Sequence, residues 1–312
     1  MAKYIVTGGA GFIGSNIVQE LVRRGHKVKI IDNLFTGKIE NLKSVAKKIN
    51  FVKGMICNLP LLQKEFRGFD YVLHQAALSS VPGSIANPTE TNRNNIDGTL
   101  NILTAAKDQK IKRVIFASSS SVYGDIEKKI ISEDDIGELL SPYALTKFSG
   151  EVYCRLFYKI YGLETIALRY FNVFGPNQDP KGQYAAVIPK FIKLMLAGER
   201  PVIYGDGTQS RDFIFVKDIV SANILAATAR KGIGEVFNIA SGQSISINQL
   251  VRFINKELKK DIKPVYVSQR SGDIKHSKAS IKKAKKIIGF EPKVCFNKGL
   301  RETIQWYKKK RK

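Results

Sequence analysis

Cysteine, histidine and tryptophan are scarce in this chain: three, three and one among 312 residues. Cys57, Cys154 and Cys295 are odd in number and widely scattered, so they suggest no disulfide framework and no thiolate metal site. They read as packing residues of a protein kept in a reducing compartment. His26, His74 and His276 are equally dispersed, which leaves no paired ligands for an ion such as zinc and makes metal-free chemistry the expectation. Long apolar runs are missing too. None approaches the roughly 20 residues a membrane span needs, and the first residues run directly into a strand pattern without a leader layout. A cytoplasmic protein without membrane partners is expected. No internal repeat or low-complexity linker interrupts the chain.

Acidic side chains are outnumbered, 27 Asp and Glu against 51 Lys and Arg, for a formal net charge of +24. Such a field draws any polyanion without choosing among nucleic acid, an acidic membrane or an anionic substrate. The lysines lie in helical stretches such as 282–286 and in the tail 308–312, without the interleaved aromatics of a base-stacking platform. They read as a solvated basic surface, and nucleic acid is not expected as a partner.

What is present is an alternation. Short, continuous, β-branched apolar runs at 4–7, 27–31, 71–74, 114–118, 165–168 and 236–239 read as buried parallel strands. Helical periodicity marks 16–24, 94–109 and 142–161 between them. Strand and helix in turn predict an α/β fold, a Rossmann-type doubly wound parallel sheet. After Tyr170 the pattern breaks into a Gly/Pro-rich stretch, 172–182, then a helix ending near Gly198 and a short strand, 202–204. This predicts a smaller, discontinuous α/β substrate lobe: residues 1–171 and 216–240 form the sheet domain, and 172–215 with 241–312 form the lobe.

Thr7-Gly8-Gly9-Ala10-Gly11-Phe12-Ile13-Gly14 follows the first strand and opens the first helix. In that context Gly8 and Gly11 permit a tight turn and close approach to a pyrophosphate, Gly14 allows helix–strand contact, and the helix N-terminus supplies amides. Asp32 ends the second strand, where a carboxylate accepts from both ribose hydroxyls and repels a 2′-phosphate. NAD is expected in preference to NADP. Further along, Ser141 suits an N-cap and Pro142 the first helical position, so that Tyr143 and Lys147 share one helix face. An ammonium one turn from a phenol, joined by the nicotinamide cation, lets the phenolate form near neutrality and act as a base. Tyr-x-x-x-Lys alone is common, but Ser118-Ser119-Ser120-Ser121 ends a strand at the carboxyl edge where open α/β sheets bind ligands. Ser119 is placed to hydrogen-bond a substrate hydroxyl and pass its proton to Tyr143. Ser120 and Ser121 remain alternates, and Ser121 also reads as a polar strand end.

TGGAGFIG, Asp32, Ser119 and Tyr143-x-x-x-Lys147 together resemble the extended short-chain dehydrogenase/reductases, especially their nucleotide-sugar epimerases, over essentially the whole chain. RYFNVFGPNQDPKGQYAAVIPKF (169–191), GDGTQSRDFIFVKD (205–218) and RSGDIKHS (270–277) look like the bacterial UDP-N-acetylglucosamine 4-epimerases in particular. By that resemblance Phe12, Ile13, Asp32, Asn33, Ala76, Ala77, Leu78, Asn95, Tyr143, Lys147 and Phe171 would touch NAD. Asn172, Val187, Tyr204, Arg211, Arg270 and Asp273 would hold a UDP-sugar. Two guanidinium forks, Arg211 and Arg270, also suit a diphosphate on chemical grounds.

Two positions set this sequence apart. Relatives carry an acid in the segment that meets adenine, whereas Gly54 is followed here by Met55, a poor acceptor for the adenine amino group. The position matching Ser277 lines the sugar pocket in the family, where a bulky residue excludes an N-acetyl group; serine leaves room. The resemblance thus implies reversible C4 epimerisation of UDP-N-acetylglucosamine and UDP-N-acetylgalactosamine, with UDP-glucose and UDP-galactose tolerated. It proceeds through a transient 4-keto sugar, with NAD retained and regenerated. SSSSVYG also lacks the acid that related dehydratases and decarboxylases place there. A UDP-uronic acid 4-epimerase is the enzymatic alternative, and a non-catalytic NAD- or RNA-binding protein the alternative of another class. A homodimer through helices 94–109 and 142–161 is further implied.

Overall fold

The computed structural model describes residues 1–126, 128–180, 186–268 and 277–311. The first half runs β1 (Lys3–Thr7), α1 (Phe12–Arg23), β2 (Lys27–Asp32), β3 (Ile49–Lys53), α2 (Leu59–Glu65), β4 (Tyr71–His74), α3 (Val81–Ala86), α4 (Pro88–Asn92), α5 (Gly98–Asp108), β5 (Arg113–Ser119), α6 (Pro142–Tyr161) and β6 (Glu164–Tyr170). The second half follows with β7 (Asn172–Phe174), α7 (Val187–Ala197), β8 (Val202–Tyr204), β9 (Ser210–Arg211), β10 (Phe213–Phe215) and α8 (Val216–Thr228). It closes with β11 (Val236–Ile239), β12 (Ile245–Ser246), α9 (Ile247–Leu258), β13 (Val265–Val267), α10 (Lys282–Ile288) and α11 (Phe296–Arg311).

Seven parallel strands make the main sheet in the order β11-β6-β5-β4-β1-β2-β3. The strand order reverses between β1 and β4, and at such a switch the flanking loops part and open a crevice at the strand carboxyl ends. The strands read as unbroken apolar runs because helices cover both faces. Alternate side chains serve opposite cores. Ile30, Val6, Leu73, Ile115 and Ile166 stand in register across five strands and enter the core shared with α1 and α8. Ile5, Ile31, Val72, Val114 and Ala167 point the other way, toward α2, α5 and α6. The edge strand β3 escaped the periodicity because INFVK is only partly buried.

The remaining strands pair two by two: β7 with β10 and β8 with β13, both parallel, and β9 with β12, antiparallel. A third core lies here under α7, α9 and α11, built on Phe174, Phe213, Phe215 and Phe296; the ring centroids of Phe174 and Phe296 are 5.3 Å apart. Helix α10 instead packs on β11, and its Ala284 and Ile288 join the core of the large sheet. No helix of the described residues is long and apolar enough to cross a membrane. Among those residues no group of three or more His, Cys, Asp or Glu is arranged to hold a metal ion.

Candidate active site

The glycine loop is shaped by contacts that a side chain would destroy. Gly8 has φ of 67°, and a Cβ there would lie 2.7 Å from the Ala76 amide nitrogen; at Gly14 it would lie 2.2 Å from the Gly8 carbonyl oxygen. Helix α1 starts at Gly11 with no side-chain cap, so its first amides remain directed at the crevice as an anion seat. At the end of β2, Asp32 is 6% exposed. One carboxylate oxygen accepts from the Ala10 N–H at 2.9 Å and the other from the Leu34 N–H at 2.8 Å. Each oxygen keeps a further lone pair for a ribose hydroxyl. These residues fit a dinucleotide: bare backbone for the pyrophosphate and an anchored acid for the ribose.

Gly8, Gly11, Phe12, Ile13, Gly14, Asp32, Asn33, Ala76, Ala77, Leu78, Tyr143 and Lys147 all border one cleft at this switch point. Two of the expected NAD contacts do not border it, nor does Ser119, whose neighbour Ser118 does. Phe171 is buried behind the cleft against Tyr123, ring centroids 5.9 Å apart. Asn95 lies beneath the loop, accepting from the Leu78 N–H at 2.8 Å and donating to the Leu78 carbonyl at 3.0 Å. Its neighbour Asn94 faces the cleft instead. The reason is a π turn over Arg93–Asp97 ahead of α5, where sequence periodicity had predicted regular helix; the extra residue re-aims the side chains. Gln75 and Tyr170 also line the cleft and were missed, although each ends or follows a sheet strand at the carboxyl edge. They meet through Asn223, whose Nδ2 donates to the Tyr170 hydroxyl at 2.7 Å and whose Oδ1 accepts from Gln75 at 3.1 Å. Met55 is half exposed, and it is the flanking Gly54 and Ile56 that line the cleft.

Helix α6 begins where sequence placed it, with the Ser141 hydroxyl accepting from the Ala144 N–H at 3.1 Å and Pro142 at the first position. The Ser119 hydroxyl stands beside the Tyr143 phenol and acts to lower its pKa. Ser119 also accepts from Ser121, from the N–H at 3.2 Å and the hydroxyl at 2.9 Å. Ser121 thus backs Ser119 and spends its own proton on it. The Lys147 ammonium lies 5.9 Å from the centroid of the Tyr143 ring and donates to the Ala117 carbonyl at 2.8 Å. Burial lowers its pKa to about 8, against the opposing pull of the Glu151 carboxylate and then of Cys154. Burial likewise raises the Tyr143 phenol above its ordinary value, with the Ser119 hydroxyl acting against it. A bound cation beside both groups would favour the phenolate. Beneath them His74 bonds Thr7 at 2.8 Å and Thr99 at 3.1 Å, and burial, with Lys147 adding to it, takes its pKa down to about 3. It is a neutral brace for the glycine turn.

The expected sugar residues come from separate segments. Ser277 is buried, and its N–H donates to the Ser210 carbonyl at 3.1 Å, next to Arg211, so β9 brings those two together. Asn172 donates to the Asp212 carbonyl at 3.2 Å, across the β7–β10 pair. Val187 opens α7 and Tyr204 ends β8. Arg270 and Asp273 lie outside the described residues. Sequence reasoning missed Asp212, whose buried carboxylate accepts from Ser241 N–H and hydroxyl, Gly242 N–H and Ala279 N–H at 2.7–3.3 Å. Those bonds tie the chain around Ser277 to the end of β11.

A glycine-cradled crevice ending in a serine, a tyrosine and a lysine defines a dinucleotide-dependent enzyme acting at an alcohol or carbonyl carbon. The chain belongs to the NAD dependent epimerase/dehydratase family, whose sequence pattern matches residues 4–240. A UDP-N-acetylglucosamine 4-epimerase of Methanobrevibacter ruminantium, solved with UDP-N-acetylmuramic acid, is 48% identical, covers 99% of each chain and superposes with a TM-score of 0.95. The UDP-glucose 4-epimerase of Thermotoga maritima, solved with UDP-glucose, is 38% identical over 99% of this chain and 100% of its own, TM-score 0.94. That of Thermus thermophilus, solved with NAD, is 33% identical over 98% of this chain and 99% of its own, TM-score 0.88. The protein is thus an NAD-dependent enzyme of the UDP-sugar 4-epimerase kind.

Proposed function

We propose that this enzyme interconverts UDP-N-acetylglucosamine and UDP-N-acetylgalactosamine, accepts UDP-glucose and UDP-galactose as smaller substrates, and works as a cytoplasmic homodimer. Residues 1–171 and 216–240 hold NAD, and 172–215 with 241–312 hold the UDP-sugar. The observation that carries the reading is the buried Lys147 ammonium 5.9 Å from the centroid of the Tyr143 ring, both bordering the cofactor cleft, with the Ser119 hydroxyl acting on the phenol. The Ser118–Ser121 run contains no acid for chemistry beyond epimerisation.

In this reading Tyr143 takes the proton of the C4 hydroxyl, Ser119 holds that hydroxyl, and Lys147 stabilises the phenolate. When bound, NAD supplies the hydride acceptor and then the donor. Arg211 and Arg270 anchor the diphosphate while the 4-keto sugar turns, and Tyr143 returns the proton. Asn172, Val187, Tyr204 and Asp273 complete the grip on the nucleotide and sugar. The small, buried Ser277, tied to Ser210, leaves space beside the sugar for an N-acetyl group. For the dimer the support is a stripe on α6 of Leu145, Leu156 and Ile160, exposed by 49%, 40% and 64%. These residues follow helical spacing on one face, beside α5.

The test incubates the purified protein, without added reductant, with UDP-N-acetylglucosamine, UDP-glucose and a UDP-uronic acid separately, and resolves the C4 epimers by proton NMR. Fastest conversion of the N-acetylated sugar is the expected result. Preference for the uronate would overturn the substrate assignment.

A further inference from the structure

Behind the Ser–Tyr–Lys set lies a buried ionic chain. Glu151, one turn beyond Lys147 on α6, is 4% exposed, and its ion-pair partner Arg169 on β6 is 2% exposed. Glu151 Oε1 accepts from Arg169 Nε at 2.9 Å and Oε2 from Arg169 Nη2 at 2.7 Å. Oε1 accepts as well from the hydroxyl of Ser118, the residue before Ser119 on β5. Arg169 is itself held by the Glu133 carbonyl at 2.8 Å and lies over the Tyr123 ring, 4.8 Å from its centroid. A single carboxylate therefore touches the strand end that carries Ser119 and sits on the helix that carries Tyr143 and Lys147.

We propose that Glu151, clamped by Arg169, is a positioning residue for the catalytic set. It locks the end of β5 to α6 so that hydroxyl, phenol and ammonium keep one register, and it supplies the counter-charge of the buried Lys147. The inference rests on the Tyr143 assignment made above. Among the described residues, the titratable groups around Lys147 are Tyr143, Glu151 and Cys154 on its own helix and His74 on β4, with Arg169 on β6 behind Glu151. Burial keeps His74 neutral and raises the Cys154 thiol, so Glu151 is the anion of this group. A buried ammonium without an anion nearby gives up its proton, and the phenolate then loses its partner.

The experiment titrates tyrosinate absorbance in the NAD-loaded enzyme, with the spectrum of Tyr143→Phe subtracted so that only Tyr143 is read. Glu151→Gln should move that titration upward by about one pH unit and lower kcat tenfold or more with KM unchanged. Because Glu151→Gln leaves Arg169 buried without its partner, the double variant Glu151→Gln/Arg169→Met, which removes both charges, is measured beside it. It should fold and show the same upward shift. A folded double variant whose Tyr143 titrates as in the unaltered enzyme would overturn the proposal and leave the pair a purely structural bridge. The titration needs no substrate, so a wrong UDP-sugar would abolish turnover in every protein while leaving this difference readable.

Discussion

The cofactor cleft and the proposed sugar-binding side are built by different means. Around NAD, each chemical part is one local stretch of chain at a strand end: the turn Gly8–Gly14, Asp32, Ser118–Ser121, and the α6 start that carries Tyr143 and Lys147. On the proposed sugar side, Arg211 and Ser277 lie far apart in sequence and are brought together at β9, where the Ser277 N–H donates to the Ser210 carbonyl. Asp212 then fastens two further segments, at 241–242 and at 279, by hydrogen bonds. A site assembled from strands two or three residues long depends on the ties between them.

The comparison can be broken at several points. Tyr143→Phe should reduce turnover by roughly 10²–10⁴-fold, the range lost with a general base, while NAD content and thermal stability stay unchanged; steady-state kinetics with bound-NAD quantitation checks this. On the other side, Asp212→Asn should free the segment at Ser277 and raise KM for the UDP-sugar more than it lowers kcat, since it weakens assembly of the site and not the chemistry. Gly14→Ala places a methyl against the Gly8 carbonyl and should cost about 1–3 kcal/mol along with bound NAD, read by calorimetry and by the cofactor recovered on denaturation.

Acid offers a subtler probe of the cofactor half. His74 has a folded pKa near 3 and an ordinary value of 6.5. Between those values the unfolded chain binds a proton that the folded chain refuses, so stability falls as pH drops from 6.5 toward 3. In His74→Gln the melting temperature should fall less over that window, a difference that cancels the shared carboxylate titrations. Ser141→Ala removes only the α6 cap and should cost about 1 kcal/mol, with kcat nearly unaltered in an activity assay at fixed temperature.

Much of the cofactor half was legible because glycine, aspartate and the Tyr-x-x-x-Lys pair act where their own strand or helix ends. The regular helix expected from residue 94 opens instead with a π turn, an extra residue that apolar periodicity does not register and that leaves Asn94, not Asn95, bordering the cleft. Phe171 and Asn95 are buried behind the cleft, and burial is not written in a residue's identity. Gln75 and Tyr170 could have been found by asking which side chains end the strands at the switch point. On the proposed sugar side Asp212 lay inside the stretch 205–218, but nothing there marks its role: its partners at 241, 242 and 279 are set by the tertiary path.

The most direct test follows the hydride. UDP-N-acetylglucosamine deuterated at C4 is incubated with the enzyme as purified, without added NAD, and the product is read by NMR. A tightly held cofactor that takes and returns the same hydride predicts UDP-N-acetylgalactosamine with deuterium still at C4 and no lasting reduced cofactor. Protium from solvent at C4, or net accumulation of NADH, would contradict it.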